Sequence, residues 1–595
     1  MTEIDLDIAR LHKSYAAGMT PAEVIAEVYA RIVAAGDPGI FITLVDEARA
    51  LAAAAALPPF DAAAYPLWGV PFAVKDNIDV FAMPTTAACP DHAYVAKESA
   101  AVVQRLLDAG ALLIGKTNLD QFATGLVGVR TPYPVPRNAC DPALVPGGSS
   151  SGSAVAVARG IVSFALGTDT AGSGRVPAAL NNIVGLKPSR GALSVRGVVP
   201  ACKTLDCVSI FATTADDAWR VMQVAAVRDP ADPWSRSFAF GSPVAPSAVR
   251  FGVPDSASLI LGSPEAESAY EAAVNLLPSR PVEVDLAAFF AAAALLYEGA
   301  WVAERYAAIR DFIETRAESL HPVTRKIIEG ATHLSAADAF DGIYRLAELA
   351  NTTRHVWNEI DVLVVPSIPD VCTLDDVARD PILANSRLGT YTNFVNLLDL
   401  AAIAVPGPFR IDGRPAGVTL VAPAGRDALL VAIAEVLHTR AGVPLGATAK
   451  PLPPLPARAA EPPAGSIGLA VVGAHLSGMS LNQELTERGA SFVKAVATEP
   501  AYRLYALPGG PPRRPGLVRV GSGGAAIAVE VWALSPEAFG TFIAGVPAPL
   551  GIGTLALADG TTAKGFLCEP AGTEGAEDIT RFGGWRDYIA ALETA

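Results

Sequence analysis

PGGSSSGS at residues 146–153 and GTDTAGSGRVP at residues 167–177 are the most informative stretches of this sequence. A third stretch, VPFAVKDN at residues 70–77, has Lys75 after a run of apolar residues that predicts a strand. Small residues permit strained turns and allow backbone N–H groups to converge on a ligand. A buried lysine at the end of a strand can have a lowered pKa and can then act as a base. Any one of these stretches alone would be more typical of a connecting loop or a surface lysine.

Together, the three stretches resemble the amidase signature family of serine hydrolases, whose catalytic triad is serine, cis-serine and lysine. The family lysine lies in a K-D-N-like strand end, and the bridging serine is the first serine of G-G-S-S-[SG]-G. The nucleophile is the serine of a D-x-[GA]-G-S-x-R segment 24 residues later. The matching positions here are Lys75, Ser149 and Ser173. KTNLDQFATG at residues 116–125 and YTNFVNLLDLAAIAVP at residues 391–406 also resemble the family.

The resemblance, which covers most of residues 20–445, implies a role for each member of the triad. Lys75, kept neutral by burial and hydrogen bonds, would accept a proton through Ser149. Ser149 would follow Gly148 across a cis peptide bond and would connect Lys75 to Ser173. Ser173 would then attack the carbonyl carbon of an amide.

The resemblance also implies an oxyanion hole made of successive backbone N–H groups, those of Thr170, Ala171, Gly172 and Ser173. Ala171 stands where many members of the family have glycine, but an N–H donor needs no particular side chain. Asp169 and Arg175 would brace this loop rather than take part in the chemistry.

A run of aromatic and basic residues, LLYEGAWVAERYAAIR at residues 295–310, bears on the substrate. Tyr297, Trp301 and Arg305 are spaced four apart, which predicts one face of a long helix that runs from residue 286 through residue 315. In an ordinary helix, such aromatic residues pack and the arginine extends to water. The run resembles the substrate-binding helix of the allophanate hydrolases, a group of amidases in which the matching tyrosine and arginine hold the substrate carboxylate. Gly125 is predicted as a further substrate-binding residue.

The C-terminal part of the chain resembles the C-terminal domain of the same group in three stretches: LAVVGAHLSGMSLN (469–482), AYRLYALPG (501–509) and VPAPLGIGT (546–554). That domain has a fold similar to gamma-glutamyl cyclotransferases and is assigned the decarboxylation of N-carboxycarbamate. His475 lies in the loop after the first predicted strand, and it is the candidate residue of this domain. A lone histidine is more often structural than catalytic, and only the resemblance makes the two roles of His475 about equally expected.

The domain organisation follows from KPLPPLPARAAEPPAG at residues 450–465, a proline- and alanine-rich linker with a stiff extended character. We predict an amidase domain at residues 1–449, this linker, and a C-terminal domain at residues 466–595. The first domain alternates helical stretches with short apolar strands, as at residues 99–114. This alternation predicts an α/β amidase fold with a mixed central sheet flanked by helices.

The C-terminal domain is predicted to be small and α+β. Residues 525–534 alternate like a strand, and residues 536–544 form a short helix. Residues 554–567 are typical of a hairpin with a two-residue turn at Asp559–Gly560.

The composition excludes several classes of protein. The chain has 595 residues, of which 51% are hydrophobic and 18% are charged, so it is globular with more than one domain. A formal net charge of −15 argues against a general nucleic-acid or anionic-membrane binder. Six scattered cysteines indicate a reducing compartment, and no apolar run reaches the roughly 20 residues that a membrane span needs. The expected location is the cytoplasm.

One motif is misleading. GALLIGKT at residues 110–117 matches the phosphate-loop pattern, but it follows a predicted helix, and its four intervening residues are apolar and strand-like. We interpret the match as chance. No zinc-ligand spacing is present, and the resemblance implies no metal, nucleotide or organic cofactor.

The expected reaction is hydrolysis of allophanate to ammonia and N-carboxycarbamate. Decarboxylation would then give carbamate, which breaks down to ammonia and carbon dioxide. The resemblance also implies a functional link to a biotin-dependent urea carboxylase, which makes allophanate, and a homodimer. Two alternatives stay open: an amidase or biuret-type hydrolase of another small amide, and a subunit like those of aminoacyl-tRNA amidotransferases that serves mainly in assembly.

Overall fold

The computed structural model describes residues 4–238, 245, 248–454, 462 and 465–593. The chain divides into two units, Met1–Phe238 with Arg250–Pro454, and Ala239–Val249 with Leu455–Ala595, which we call the N-terminal and C-terminal units. Most of the predicted linker, residues 455–461, 463 and 464, lies outside the described residues. Ala245 is buried, and its N–H donates to Ser477 Oγ at 3.2 Å. A short piece of chain before residue 250 therefore belongs to the C-terminal unit, which the sequence did not indicate.

Strands and helices alternate in the N-terminal unit. The strands are β1 Phe41–Leu44, β2 Pro71–Lys75, β3 Pro84–Thr85, β4 Tyr94–Val95, β5 Leu112–Thr117, β6 Phe164–Asp169, β7 Val184–Lys187, β8 Cys207–Ala212, β9 Phe251–Pro254, β10 Val282–Val284, β11 Val362–Pro366, β12 Leu400–Pro406 and β13 Gly417–Pro423. The helices are α1 Ile8–Ala16, α2 Pro21–Ala35, α3 Glu47–Ala55, α4 Ala101–Asp108, α5 Ser151–Ala158, α6 Val176–Leu180, α7 Ala215–Ala225, α8 Pro264–Val274, α9 Ala287–Ala294, α10 Trp301–Ala308, α11 Arg310–Arg316, α12 Pro322–Glu329, α13 Ala336–Thr353, α14 Val356–Glu359, α15 Leu374–Arg379, α16 Leu383–Leu388, α17 Phe394–Leu397 and α18 Asp427–Ala441.

Within the described residues, eleven of these strands form one mixed sheet in the order β1-β5-β2-β6-β8-β7-β12-β13-β11-β9-β10. This confirms the predicted α/β fold with a mixed central sheet. β2 lies between β5 and β6 and pairs with both in parallel. All residues of β2 and β6 are buried, as expected for strands covered on both faces. Because parallel strands end at the same edge of a sheet, Lys75 at the end of β2 and Asp169 at the end of β6 lie at one edge.

The phosphate-loop-like motif is a strand, as its apolar residues predicted. α4 precedes it, and Leu112–Thr117 forms β5 beside β2. The motif's lysine, Lys116, is buried and forms an ion pair with Asp76 at 3.1 Å. Its ammonium group therefore stabilises the strand ends at this edge of the sheet.

The prediction of one long helix over residues 286–315 is wrong. The structure has α9, a turn, α10 and α11 in its place, and Tyr297 lies in the turn. The N–H groups of Leu295, Leu296 and Tyr297 donate to carbonyls three residues back, which tightens and ends α9. Gly299, a poor helix former, lies two residues after Tyr297.

The C-terminal unit is rich in strands: β14 Ile467–Val471, β15 Ser491–Ala497, β16 Tyr502–Leu507, β17 Arg514–Arg519, β18 Ala528–Leu534, β19 Leu550–Ala556, β20 Thr562–Cys568 and β21 Glu577–Asp578. Its helices are α19 Gln483–Thr486, α20 Pro536–Ile543 and α21 Trp585–Glu593. As described, the strands form a five-stranded sheet, β15-β18-β14-β20-β19, and a three-stranded sheet, β17-β16-β21. The predicted short helix is α20, and the predicted α+β class is confirmed.

The predicted hairpin is formed by β19 and β20, but its turn is longer than two residues. Ala556 pairs with Thr562, and the Leu557 N–H donates to the Thr561 carbonyl. The tip is therefore three residues long and ends at Gly560, whose φ of +81° is favourable for glycine.

No helix among the described residues has the length and apolar character needed to cross a membrane.

Candidate active site

Lys75 is the centre of a buried polar cluster where β2 ends. The side chain is 0% exposed, and its Nζ lies 2.7 Å from both Ser149 Oγ and Thr168 Oγ1. Asn77 Nδ2 also donates to Thr168 Oγ1, at 3.3 Å. The structure thus brings two of the three predicted triad residues into direct contact.

The pKa of Lys75 is strongly perturbed. Burial lowers it from 10.5 to about 7, and the carboxylates of Asp120, Asp169 and Asp206 act in the opposite direction by favouring the charged form. With a pKa near 7, Lys75 is partly neutral at physiological pH and can accept a proton.

Ser149 is held by its backbone as well as by Lys75. The peptide bond between Gly148 and Ser149 is cis, as the resemblance implied. The Ser149 carbonyl accepts a hydrogen bond from the Asp120 N–H at 3.0 Å. A Cβ at position 148 would collide with the Asp120 carboxylate, so only glycine fits before Ser149.

Ser173 lies on the loop that directly follows β6, at the edge where β2 also ends. The residue is 3% exposed, and its hydroxyl makes no hydrogen bond to any described residue. The second link of the predicted relay, from Ser149 to Ser173, is therefore not closed in this structure. Catalytic hydrogen bonds commonly tighten only when a substrate is bound.

A buried ion pair braces the Ser173 loop, which confirms the predicted part of Asp169 and Arg175. Arg175 Nε and Nη2 donate to the two oxygens of Asp169, both at 2.9 Å, and both side chains are fully buried. The same carboxylate accepts the N–H groups of Gly172 at 2.8 Å and Gly174 at 3.0 Å. One carboxylate therefore sets the conformation on both sides of Ser173.

The contact to Asp169 changes the set of N–H groups that an oxyanion could use. The N–H of Gly172 is occupied by Asp169, although it was predicted as a donor of the hole. The N–H groups of Thr170, Ala171 and Ser173 have no partner among the described residues. Gly172 has a φ of +131°, and a Cβ there would collide with Thr392, so this position needs glycine for its conformation.

Arg305 is buried without a carboxylate partner. It lies on α10 and is 2% exposed, and no described acidic residue forms an ion pair with it. Nη1 lies 3.2 Å from Thr124 Oγ1, and Nη2 lies 3.5 Å from the Tyr297 hydroxyl. The guanidinium carbon is 5.3 Å from the centre of the Tyr297 ring, and Nε is buried without a partner. Buried charges are normally paired, so this group is suited to an anionic ligand.

Gly125, the third predicted substrate-binding residue, follows Thr124, which contacts Arg305. A Cβ at position 125 would lie 2.5 Å from Asp120 Oδ2. This crowding explains the glycine, and its contact with a substrate stays a prediction.

His475 lies in a pocket of about 280 Å³ in the C-terminal unit. Its ring stacks on Phe566 and meets Phe542 edge-on, and its Nε2 is 3.3 Å from Glu484 Oε2. Burial lowers the pKa of His475, and Glu484 opposes this effect. Arg514 also lines the pocket, which therefore offers a neutral imidazole, an acid and a cation.

Sequence reasoning missed Asp120, Thr168 and Asp206, which surround Lys75. Asp120 lies in the family-like KTNLDQFATG stretch, and Thr168 lies in the stretch quoted around β6, so both could have been found from their positions beside the motifs. Asp206 lies 33 residues after Ser173, and no local pattern marks it.

Two family models match the chain. The Amidase model matches residues 23–431, and the Allophanate hydrolase C-terminal domain model matches residues 467–590.

Similar proteins cover different shares of the chain. A solved structure of allophanate hydrolase from Kluyveromyces lactis is 41% identical, with a TM-score of 0.80, and the match covers 98% of this chain and 99% of that one. A urea amidolyase of Saccharomyces cerevisiae is 46% identical over 553 residues, which is 89% of this chain and 30% of the relative's own length. The chain thus spans under a third of that longer protein. One subunit of the glutamyl-tRNA(Gln) amidotransferase of Symbiobacterium thermophilum is 34% identical over 72% of this chain and 95% of its own length.

The substitution Asp169→Asn should lower the free energy of unfolding by about 3–5 kcal/mol, because it leaves the buried Arg175 without a charged partner. Denaturant titration of the full chain measures this change. Glu348→Gln, which breaks the exposed ion pair with Arg345, is the matched control and should change stability by less than about 1 kcal/mol. Equal effects of the two substitutions would contradict the bracing role of Asp169.

Proposed function

The chain belongs to the amidase family and carries the C-terminal domain of the allophanate hydrolases, and from this premise we propose that it hydrolyses allophanate. The observation that carries the proposal is the similarity to an allophanate hydrolase over nearly the whole of both chains. The similarity includes the C-terminal unit, which most simple amidases lack. Arg305 adds support, because it is buried without an ion pair to any described acidic residue and allophanate is a urea that bears a carboxylate.

The first chemical step is attack by Ser173 on the terminal carbamoyl carbon of allophanate. Neutral Lys75 accepts the proton of Ser149 across their 2.7 Å hydrogen bond, and Ser149 in turn takes the proton of Ser173. A lysine with a pKa of about 7 serves this exchange well, because it gains and loses a proton near the working pH.

The negative charge that develops on the carbonyl oxygen needs hydrogen-bond donors. The N–H groups of Thr170, Ala171 and Ser173 have no partner in the described part of the chain and can supply them. The loss of one such donor typically lowers the rate by about 10²–10³. The Gly172 N–H is better assigned to holding the loop, since it donates to Asp169.

Collapse of this intermediate breaks the bond to the terminal nitrogen, which leaves as ammonia with a proton returned from Lys75 through Ser149. The acyl group remains on Ser173 as an ester. Water, deprotonated along the same route, attacks the ester and releases N-carboxycarbamate. One water is consumed and one ammonia is formed.

Arg305 is the proposed anchor of the substrate carboxylate, with Tyr297 beside it. A guanidinium binds a planar carboxylate through two parallel hydrogen bonds. Nη1 donates to Thr124 and Nη2 donates to the Tyr297 hydroxyl, which leaves Nε and the second N–H of Nη2 for an anion. Gly125 stays a proposed member of this subsite.

The C-terminal unit is the proposed place of the second step, the loss of carbon dioxide from N-carboxycarbamate. Carbamate results and breaks down to ammonia and carbon dioxide. His475 is the candidate residue, supported by its position in a pocket with Glu484 and Arg514. No cofactor is proposed for either step.

The wider setting of the reaction also belongs to the proposal. Allophanate would come from a biotin-dependent urea carboxylase, and similarity to part of a longer urea amidolyase supports this link. The family resemblance favours a cytoplasmic homodimer, which light scattering of the purified chain would test.

Two other functions are consistent with parts of this chain. Another small-amide hydrolase would share the triad but would not need Arg305. A role like that of the glutamyl-tRNA(Gln) amidotransferase relative is favoured by similarity over 72% of the chain. The similarity to allophanate hydrolase covers 98% of the chain, so we place allophanate hydrolysis first.

The proposal is tested by ammonia release from fresh allophanate, measured beside urea, biuret, malonamate and acetamide. We expect rapid turnover of allophanate and little of the neutral amides. Ser173→Ala should lower kcat by more than about 10³-fold, because the nucleophile is lost. Full activity of Ser173→Ala, or turnover of neutral amides alone, would contradict the proposal.

The value of kcat/KM should rise with pH and level off above an apparent pKa of about 7, because only neutral Lys75 accepts a proton. Lys75→Arg should be inactive at every pH, since a guanidinium stays protonated. The exposed Lys97→Arg is the control and should keep the wild-type profile. A profile that is flat between about pH 5.5 and 8.5 would contradict the role of Lys75.

Arg305→Ala should lower kcat/KM for allophanate by about 10- to 100-fold, in line with the loss of hydrogen bonds to a charged group. The exposed Arg310→Ala on the neighbouring α11 is the matched control. Retention of wild-type efficiency in Arg305→Ala would remove the carboxylate anchor from the proposal.

A further inference from the structure

Residues 201–206, ACKTLD, lie between the Ser173 loop and α10, and we call them the bridging segment. At one end of this segment, Asp206 Oδ1 accepts the Thr170 hydroxyl at 2.5 Å. The same carboxylate accepts the N–H groups of Ala201 at 2.9 Å and Cys202 at 3.1 Å. Asp206 therefore connects the last residue of the segment to the first two, and it connects the segment to Thr170, the first residue of the proposed oxyanion hole.

The other side of the bridging segment is tied to the helix that carries Arg305. The Thr204 N–H donates to Glu304 Oε1 at 2.8 Å, and the Thr204 hydroxyl donates to Glu304 Oε2 at 2.7 Å. Both oxygens of this carboxylate are used, and Glu304 directly precedes Arg305. The backbone of α10 is thereby fixed next to the proposed carboxylate anchor.

Apolar packing joins the same parts. Cys202 and Leu205 of the bridging segment form one buried cluster with Ala171 and Leu296. Tyr297 and Trp301 pack against this cluster. The aromatic residues near Arg305 and the Ser173 loop therefore pack on the same buried residues.

We propose that the bridging segment sets the distance between the oxyanion hole and Arg305, with Asp206 and Glu304 as positioning residues. The inference rests on the proposed function. Allophanate is a short, planar molecule in which a single nitrogen separates the attacked carbonyl from the carboxylate. Such a substrate cannot stretch to meet a misplaced group, and catalytic groups must be held to within about 0.5 Å. Neither carboxylate needs to touch the substrate.

Substitutions that break the two contacts of the bridging segment, with α10 and with Thr170, should have different kinetic effects. Glu304→Gln loosens α10 and weakens binding of the carboxylate in the ground state and the transition state alike. We expect KM for allophanate to rise about tenfold and kcat to stay within about twofold. Asp206→Asn loosens the Thr170 end, where hydrogen bonds matter most in the transition state. We expect kcat to fall about 10- to 100-fold with KM little changed.

The experiment is steady-state kinetics of the full chain with allophanate, together with thermal unfolding of each variant. Glu298→Gln, an exposed acid in the turn before α10, is the matched control and should change neither constant. Thr204→Val removes the hydroxyl that Glu304 accepts. It should match Glu304→Gln, and the double variant should be no worse than either single variant.

Thr170→Val tests the other end independently, in case Asp206→Asn does not fold. It removes the hydroxyl that Asp206 accepts and should lower kcat, and Thr170→Ser should recover most of the loss. Unchanged KM in both Glu304→Gln and Thr204→Val, or unchanged kcat in Thr170→Val, would overturn the inference. Wild-type protein that does not hydrolyse allophanate would instead refute the proposed function, so the two failures are distinguishable.

Discussion

The burial of the Lys75 ammonium group is the constraint on which the N-terminal unit depends. β2 runs between β5 and β6 and all of its residues are buried, so the lysine at its end is fully buried as well. Burial of a charge is costly unless the charge is compensated or lost. The hydroxyls of Ser149 and Thr168 contact the amine, and three nearby carboxylates favour its charged form. Burial favours the neutral form more strongly, so the pKa is lowered. The resulting pKa of about 7 supports the proposed role of Lys75 as a base.

The three carboxylates that act on Lys75 also organise the loops around it. Asp169 accepts two N–H groups of the Ser173 loop and pairs with Arg175. Asp120 accepts the N–H groups of Gly128 and Arg130 and crowds Gly148. Asp206 holds Thr170. Each of the three acids therefore both holds a loop through hydrogen bonds and places a negative charge near Lys75. This arrangement links the shape of the site to the protonation of its base.

Much of the fold and part of the site could be predicted from the sequence, for reasons that differ between elements. β5, β11 and β13 are short apolar runs, so their burial is visible in their composition. The prediction of one helix over residues 286–315 was wrong. The apolar and aromatic residues there have a helical pattern, but tight turns at Leu295–Tyr297 interrupt the helix. The hairpin was predicted at the right place, but the length of its turn depends on how Leu557 and Thr561 pair. The attachment of Ala245 to the C-terminal unit had no sequence signal, since it rests on a contact with Ser477, 232 residues away.

That Lys75, Ser149 and Ser173 form a triad is what the family resemblance implies. The sequence by itself determined which residues stand at the strand end and on the two small-residue loops. It could do so because a strand, the loop after it and the spacing between motifs are local properties of the chain. Only the tertiary structure decided that Asp169 occupies the Gly172 N–H, that Arg305 is buried beside Thr124 without a carboxylate, and that residues 201–206 connect these two places. These features arise from contacts between residues far apart in the chain and from the exclusion of water around them. Burial changes the cost of an unpaired charge, and no local sequence pattern marks the Arg305 side chain as buried.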